Sequence, residues 1–491
     1  MYRPPQKIKW KARPGDWPTR EEAERSRLFS PIVHGPFALA TRTWVPAMVP
    51  WRATEDGFVT QDNIDWYARF AAGRPGAIVL EATGIRDVPS GRLLRIGHDR
   101  FIPGLKRIAD AVHEASAGET RLFIQLIDFL AIRRRPEPAK FFQRHLALAQ
   151  RHRDALGLPD AGDEEVRAAL CALPEARWPE VLDERELEAL RMGARERIND
   201  THLEHIRELP QVLPGLFADA ARRAREAGID GVELHYAHAY TMASFLSALN
   251  VRDDGYGGSR EARVRLPLEV LARVRAEVGT DYPVGCRFLS EDCIEGGSTV
   301  EDAAYFGIEF ARGTGNGGMD FLSLSRGGKF EDARQPAIGE AAYPYTGPSG
   351  YECMPAYVSD DRGPFGRNFE PSAQIRAAIR AAGFDTPVVV TGGVHGFGQA
   401  EDLLVSDQAD IIGFARTSLA DPDWFMKVRG GYGGEVNVCT YANYCEALDE
   451  RHEEVTCQIW DRVGLDDTGI RKSHDGKRRL IPRAWTPPAG G

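Results

Sequence analysis

The chain is short of cysteine: 7 in 491 residues, an odd count. That excludes a disulfide framework as the basis of the fold. It lacks a basic excess. The formal net charge is −10, so no cationic face recommends a nucleic-acid partner. It also lacks any apolar run near the roughly 20 residues that cross a membrane. The N-terminus, Met1-Tyr-Arg-Pro-Pro-Gln-Lys7, has no apolar stretch ahead of a cleavage site and does not read as a secretory signal. A cytoplasmic protein without membrane or nucleic-acid contact is the expectation. Hydrophobic residues make up 43% and charged residues 27%, enough apolar material for one large barrel or two to three average domains.

What is present is a rhythm. Short apolar runs recur at Thr43 to Met48, Ala77 to Glu81, Leu122 to Leu126, Gly231 to His235, Val284 to Phe288, Phe321 to Leu324, Val388 to Thr391 and Ile411 to Phe414. Continuous apolar runs are expected of parallel strands covered on both faces. Amphipathic stretches lie between them, such as Leu213 to Ala227 before Gly228 and Leu266 to Val278 before Gly279. Eight such units predict an α/β fold, a (β/α)8 TIM barrel, over residues 28–430. Residues 1–27 read as a polar N-terminal arm lying on the surface; an arm that embraces a second subunit of a homo-oligomer is the other reading. Two long insertions, about 133–210 and 326–368, follow barrel strands and should lie over the active-site face. Residues 431–491 form a C-terminal Cys-containing extension.

The chemistry concentrates at Val232-Glu-Leu-His-Tyr-Ala-His-Ala-Tyr240. If Gly231 to Leu234 form a strand, His235, His238 and Tyr240 stand at its C-terminal end, where barrels present their active sites. Two imidazoles and a phenol there can bind a carbonyl and deliver a proton; a lone buried histidine is more often a satisfied core residue, but three such groups in six residues argue for a site. Gly392-Gly393 follows the seventh run and Ala415-Arg416 the eighth, the positions where barrels commonly hold phosphate. Glycine alone at a turn is weak evidence; both positions together favour phosphate.

The segment His235 to Arg263, with Phe245-Leu-Ser247 and Asn250-Val-Arg-Asp-Asp-Gly-Tyr-Gly-Gly-Ser-Arg-Glu-Ala-Arg263, resembles the Old Yellow Enzyme family of FMN-dependent oxidoreductases. Leu28-Phe-Ser-Pro31, Leu80-Glu-Ala-Thr83, Gln125-Leu126, Arg287, Gly392-Gly393 and Ala415-Arg416 extend the likeness. The resemblance implies an FMN-bound TIM barrel. Ala47, Met48 and Ala82 would line the isoalloxazine. Gln125 would bond its pyrimidine edge and Arg287 would sit by N1 and O2. Gly392, Gly393, Ala415 and Arg416 would hold the phosphate. His235 and His238 would bond a substrate carbonyl, and Tyr240 would donate the proton.

The departures are specific. Val49 follows Pro46-Ala47-Met48 where the family usually has Thr or Cys. Asp128 stands where many members have His, placing an anion in a candidate site loop. Ala239 replaces a usual Gly, and Ala262 an Asn. Cys439, Cys445 and Cys457 resemble three of the four ligands of a [4Fe–4S] cluster in the family's longer branch, which includes dienoyl-CoA reductase and trimethylamine dehydrogenase. Ala442 stands where the fourth belongs, and a relic of a lost cluster is the favoured reading. A zinc site with His452 ranks lower. The longer branch's C-terminal dinucleotide-binding region is not seen.

The expected function is reduction of an activated C=C bond in a small-molecule substrate, with electrons from NAD(P)H or a partner protein. An amine dehydrogenase or N-demethylase passing electrons to a partner is the second reading, and a flavin-binding electron-transfer subunit the third. Tyr343, Tyr345, Tyr351 and Tyr357 are expected to pack a lid rather than to form a cation cage.

Overall fold

In the computed structural model, described over residues 12–88, 91–327, 337–339, 365–449 and 451–488, eight strands close into one barrel. They are β1 (Thr43–Val45), β2 (Ala77–Gly84), β3 (Arg121–Ile127), β4 (Gly231–Tyr236), β5 (Val284–Leu289), β6 (Phe321–Ser325), β7 (Val388–Thr391) and β8 (Ile411–Gly413). Every neighbouring pair is parallel, and β8 pairs back to β1. All eight strands coincide with the apolar runs read from sequence. The crossover helices are α1 (Gln61–Ala71), α2 (Ile102–Ala115), α3 (Leu209–Glu226), α4 (Arg260–Val278), α5 (Val300–Arg312), α6 (Phe369–Ala381), α7 (Phe397–Val405) and α8 (Arg416–Ala420). Among the described residues no helix is long and apolar enough to cross a membrane.

Strand alternation divides the barrel into two cores. Val232, Leu234 and Tyr236 join the large cluster shared with the helices, whereas Trp44, Phe123 and Phe321 point inward. A hairpin of Ile32–His34 and Phe37–Leu39 closes the N-terminal end. Its Phe37 packs against Trp44, Phe123 and Phe321 with ring centroids 5.1–6.3 Å apart. Gly231 and Gly285 make room for this plug: a Cβ on either would lie 2.5 Å from Phe123 or Phe321. With that end filled by aromatic rings, the polar inward positions collect at the C-terminal mouth.

The arm and the extension are strapped to this barrel. His395 Nε2 lies 3.1 Å from the carbonyl of Arg13, and Trp17 packs edge-on against Trp424. Arg52, 3% exposed, donates to the carbonyls of Val455 and Leu480 at 3.1 and 2.6 Å and stacks over Trp66. Arg69 donates to the carbonyls of Pro482 and Arg483. Leu448, Val455, Cys457 and Trp460 belong to the same apolar core as the helices.

The first insertion forms a helical lobe with its own core, including Phe142, Val166, Leu170 and Trp178. It stands on an antiparallel ribbon of Ile132–Arg134 and Gly193–Arg195. Most of the second insertion, with Tyr343, Tyr345, Tyr351 and Tyr357, lies outside the described residues.

Candidate active site

Register decides which inward side chains meet. Gln125 on β3 lies opposite Glu233 on β4, and its Nε2 donates to the Glu233 carboxylate at 2.6 Å. This bond fixes the amide's orientation. His235 on β4 lies opposite Arg287 on β5, which lies opposite Ser323 on β6. Arg287 is 8% exposed; burial lowers its pKa, and the charge of Glu233 pulls it back up. Glu233 is buried in turn, and desolvation raises its pKa against the pull of Arg287 and Gln125.

A hydrogen-bonded chain crosses the mouth. The Ala237 amide donates to Nδ1 of His235 at 3.4 Å, which leaves the ring proton on Nε2. His235 Nε2 is 3.3 Å from Nδ1 of His238, and His238 Nε2 is 2.7 Å from Oγ of Ser325. Arg287 Nη2 donates to the same hydroxyl at 3.4 Å. Burial, then the nearby Arg287 charge, depress the pKa of His235 to about 3 and lower that of His238 as well. Both rings are therefore neutral donors at physiological pH. Tyr240 lies edge-on to His235 at 5.5 Å and to Phe129 at 5.2 Å. The turn that brings them together is strained, with φ of +52° at His238 and +68° at Ala239, a region that disfavours side chains.

The loop anion expected at Asp128 faces away from a substrate role. Its carboxylate, 1% exposed, is gripped by Arg86 at 2.5 and 2.9 Å, and Arg86 also donates to the carbonyl of Phe129 at 3.0 Å. Thr241 Oγ1 donates to the carbonyl of Asp128 at 3.1 Å. The ion pair thus holds the loop whose next residue packs on Tyr240.

The long motif after Tyr240 is a frame. Asn250 Nδ2 donates to the carbonyls of Phe245 and Tyr256. Arg252 donates to the carbonyls of Ile198, Ile206 and Arg207, tying the first insertion to this loop. Arg263 reaches the carbonyl of Leu246, Ser298 and Asp302. Beside Tyr240 a cavity of about 290 Å³ opens between Thr241 and Ser244 of this loop and Arg195, Glu196 and Arg197 of the insertion. The first insertion therefore does reach over the mouth.

The remaining residues named from sequence also fall at this end. Ala47 and Met48 follow β1, Ala82 sits in a bulge of β2, Gly392 and Gly393 follow β7, and Ala415 and Arg416 follow β8. Gly392 has φ of +138°, and a Cβ there would press to 3.1 Å on Asn368. Asn368 joins the ends of β6 and β7, donating to the carbonyls of Leu324 and Thr391. Neither α7 nor α8 has a side-chain cap at its N-terminus. The residues fit the flavin that the sequence implies. Arg287 Nη1 is buried with no protein acceptor among the described residues, so an acceptor-rich ring edge would satisfy it.

The iron–sulfur ligand set does not fit in the same way. Burial raises the pKa of Cys439, of Cys445 to about 11 and of Cys457 to about 12. Among the described residues no three metal-ligating side chains converge. His452 stacks on Trp51 at 3.9 Å.

Sequence reasoning missed Ser325, Glu233, Asn368 and Arg86. The alternation Phe-Leu-Ser-Leu-Ser in β6 is the one local signal, since it turns Ser323 and Ser325 inward with Phe321. Arg86 and Asn368 carry no such signal, because their partners lie far along the chain.

Residues 187–335 match the NADH:flavin oxidoreductase / NADH oxidase family. An NADH oxidase of Thermoanaerobacter brockii is 28% identical over 421 residues, 85% of this chain and 52% of that protein. The chain spans about half the length of the first relatives it matches. Two solved structures share the fold. A 2-naphthoyl-CoA reductase superposes with a TM-score of 0.63 at 22% identity, over 89% of this chain and 57% of its own. An Old Yellow Enzyme homologue from Zymomonas mobilis superposes with a TM-score of 0.51 at 23% identity, over 82% and 91%.

Proposed function

We propose that this chain, whose residues 187–335 match the NADH:flavin oxidoreductase / NADH oxidase family, is an FMN-dependent oxidoreductase of that family that reduces a C=C bond conjugated to a carbonyl. The observation that carries this reading is the neutral His235–His238 pair, linked through Ser325 to the buried Arg287 and flanked by Tyr240. A flavin bound at this mouth supplies a hydride donor for the alkene β-carbon.

The chain's own residues meet the charge that then develops. Negative charge appears on the carbonyl oxygen, and the Nε2–H groups of His235 and His238, which without substrate turn to His238 Nδ1 and Ser325 Oγ, exchange those partners for it. Neutral imidazoles suit the task, since they donate without being consumed as acids. Losing one preorganised donor of this kind costs about 3–4 kcal/mol. Tyr240 delivers the proton to the α-carbon, a general-acid contribution of about 10²–10⁴-fold. Arg287 would hold the ring edge through Nη1, which has no acceptor among the described residues. Gln125, oriented by Glu233, would bond the same ring, and Gly392, Gly393, Ala415 and Arg416 would hold the phosphate.

The test is anaerobic. Purified protein is titrated with NADH or NADPH while flavin absorbance is followed, and an enone or acyl-CoA ester is then added. Bleaching by the nicotinamide and recovery on adding the alkene is the expected result. Bleaching by amines and by neither nicotinamide would establish amine oxidation instead. Protein that neither carries FMN nor takes it up sinks the proposal.

A further inference from the structure

The loop between Cys439 and Cys445 is built with care although no cluster fits it. Two of its residues, Tyr441 and Asn443, hold φ of +52° and +54°. Such strain persists where surrounding contacts over-determine it. The contacts here converge on one side chain. Arg416 Nη1 donates to Asn443 Oδ1 at 2.9 Å, and its guanidinium lies over the Tyr441 ring, 4.5 Å from the centroid. Tyr441 is 2% exposed. Its ring meets Phe365 edge-on at 4.8 Å, and Phe365 packs on His395 at 4.6 Å. His395 Nδ1 lies 3.1 Å from the carbonyl of Gly393. The glycine turn after β7 and the arginine after β8 are thus joined through this loop.

We propose that Asn443 and Tyr441 are positioning residues for the cofactor phosphate: they hold Arg416 at the mouth, so the cysteine loop serves anion binding rather than metal binding. An arginine side chain loses considerable rotamer freedom when fixed. A hydrogen bond at one end and a ring beneath the plane fix it before the ligand arrives, leaving the other edge of the fork for phosphate. The inference rests on the FMN reading above.

The experiment follows flavin release from full-length holoprotein on dilution, for FMN and for riboflavin, which lacks the phosphate. Asn443→Gly removes the amide and accepts the positive φ. Asn443→Asp keeps the shape, engages Arg416 in an ion pair and adds a charge that repels phosphate. Both variants should release FMN faster, by about tenfold for Asn443→Gly and more for Asn443→Asp, with riboflavin release unchanged. Tyr441→Leu should act in the same direction. Unchanged FMN release, or equal acceleration of both flavins, overturns the inference while leaving the FMN reading intact. A wild-type protein that retains neither flavin overturns both.

Discussion

Replacing Arg86 with leucine removes the guanidinium that grips Asp128. The pair is buried at the acid's end, with the carboxylate oxygens 2.5 and 2.9 Å from two guanidinium nitrogens. Asp128 is already held above the ordinary aspartate pKa by burial, against the pull of Arg86. Without Arg86 it must remain charged, at about 3–5 kcal/mol, or take a proton. Protonating a carboxyl of ordinary pKa about 3.9 at pH 7.5 sets a ceiling near 5 kcal/mol, since each unit is worth about 1.4 kcal/mol. The sign of the pH dependence follows. In the variant the folded-state pKa rises above the unfolded value, so stability falls as pH rises and recovers as it drops. The loss in urea unfolding should shrink from about 5 kcal/mol at pH 7.5 to about 2 kcal/mol at pH 5.5. The double variant Arg86→Leu/Asp128→Asn should recover most of it, because an uncharged pair needs no counterion. Turnover of the single variant should also fall, since Phe129 follows Asp128 and packs on Tyr240. An equal loss at both pH values, with no rescue by Asp128→Asn, would refute the reasoning.

Tyr240→Phe should lower turnover by about 10²–10⁴-fold at unchanged flavin content, measured by steady-state reduction of an enone. Ala239→Gly should raise the unfolding free energy measured in urea by about 1 kcal/mol, because an L-residue at φ of +68° carries about 1–2 kcal/mol of strain that outweighs the chain entropy of glycine. His235, held neutral with a pKa of about 3, is lowered relative to the unfolded chain. Its contribution is complete above pH 6.5 and is lost on acidification, by about 2 kcal/mol at pH 5; His235→Asn should make the acid limb of a pH–stability profile shallower by that amount, leaving the share of His238. Arg252→Met should free the first insertion from the β4–α4 loop, read as faster proteolysis between residues 133 and 210.

The sequence by itself determined the barrel. Continuous apolar runs and helical periodicity are local properties, and all eight strands formed where those runs lie. It also located His235, His238 and Tyr240, since a strand end followed by a short polar turn is legible within a dozen residues. What it could not determine is which polar side chains answer one another. Asp128 meets Arg86 at 42 residues' separation and His238 meets Ser325 at 87, and Arg416 finds Asn443 across the start of the extension. Read alone, Asp128 was an anion in a substrate loop and Cys439, Cys445 and Cys457 the remnant of a metal site. The tertiary structure gave the acid a partner in Arg86, buried Cys457 and left Cys439 and Cys445 partly buried. A charge or a thiol takes its chemistry from the dielectric and the partners around it, and those are set by strand register and loop packing, which the tertiary structure alone decides.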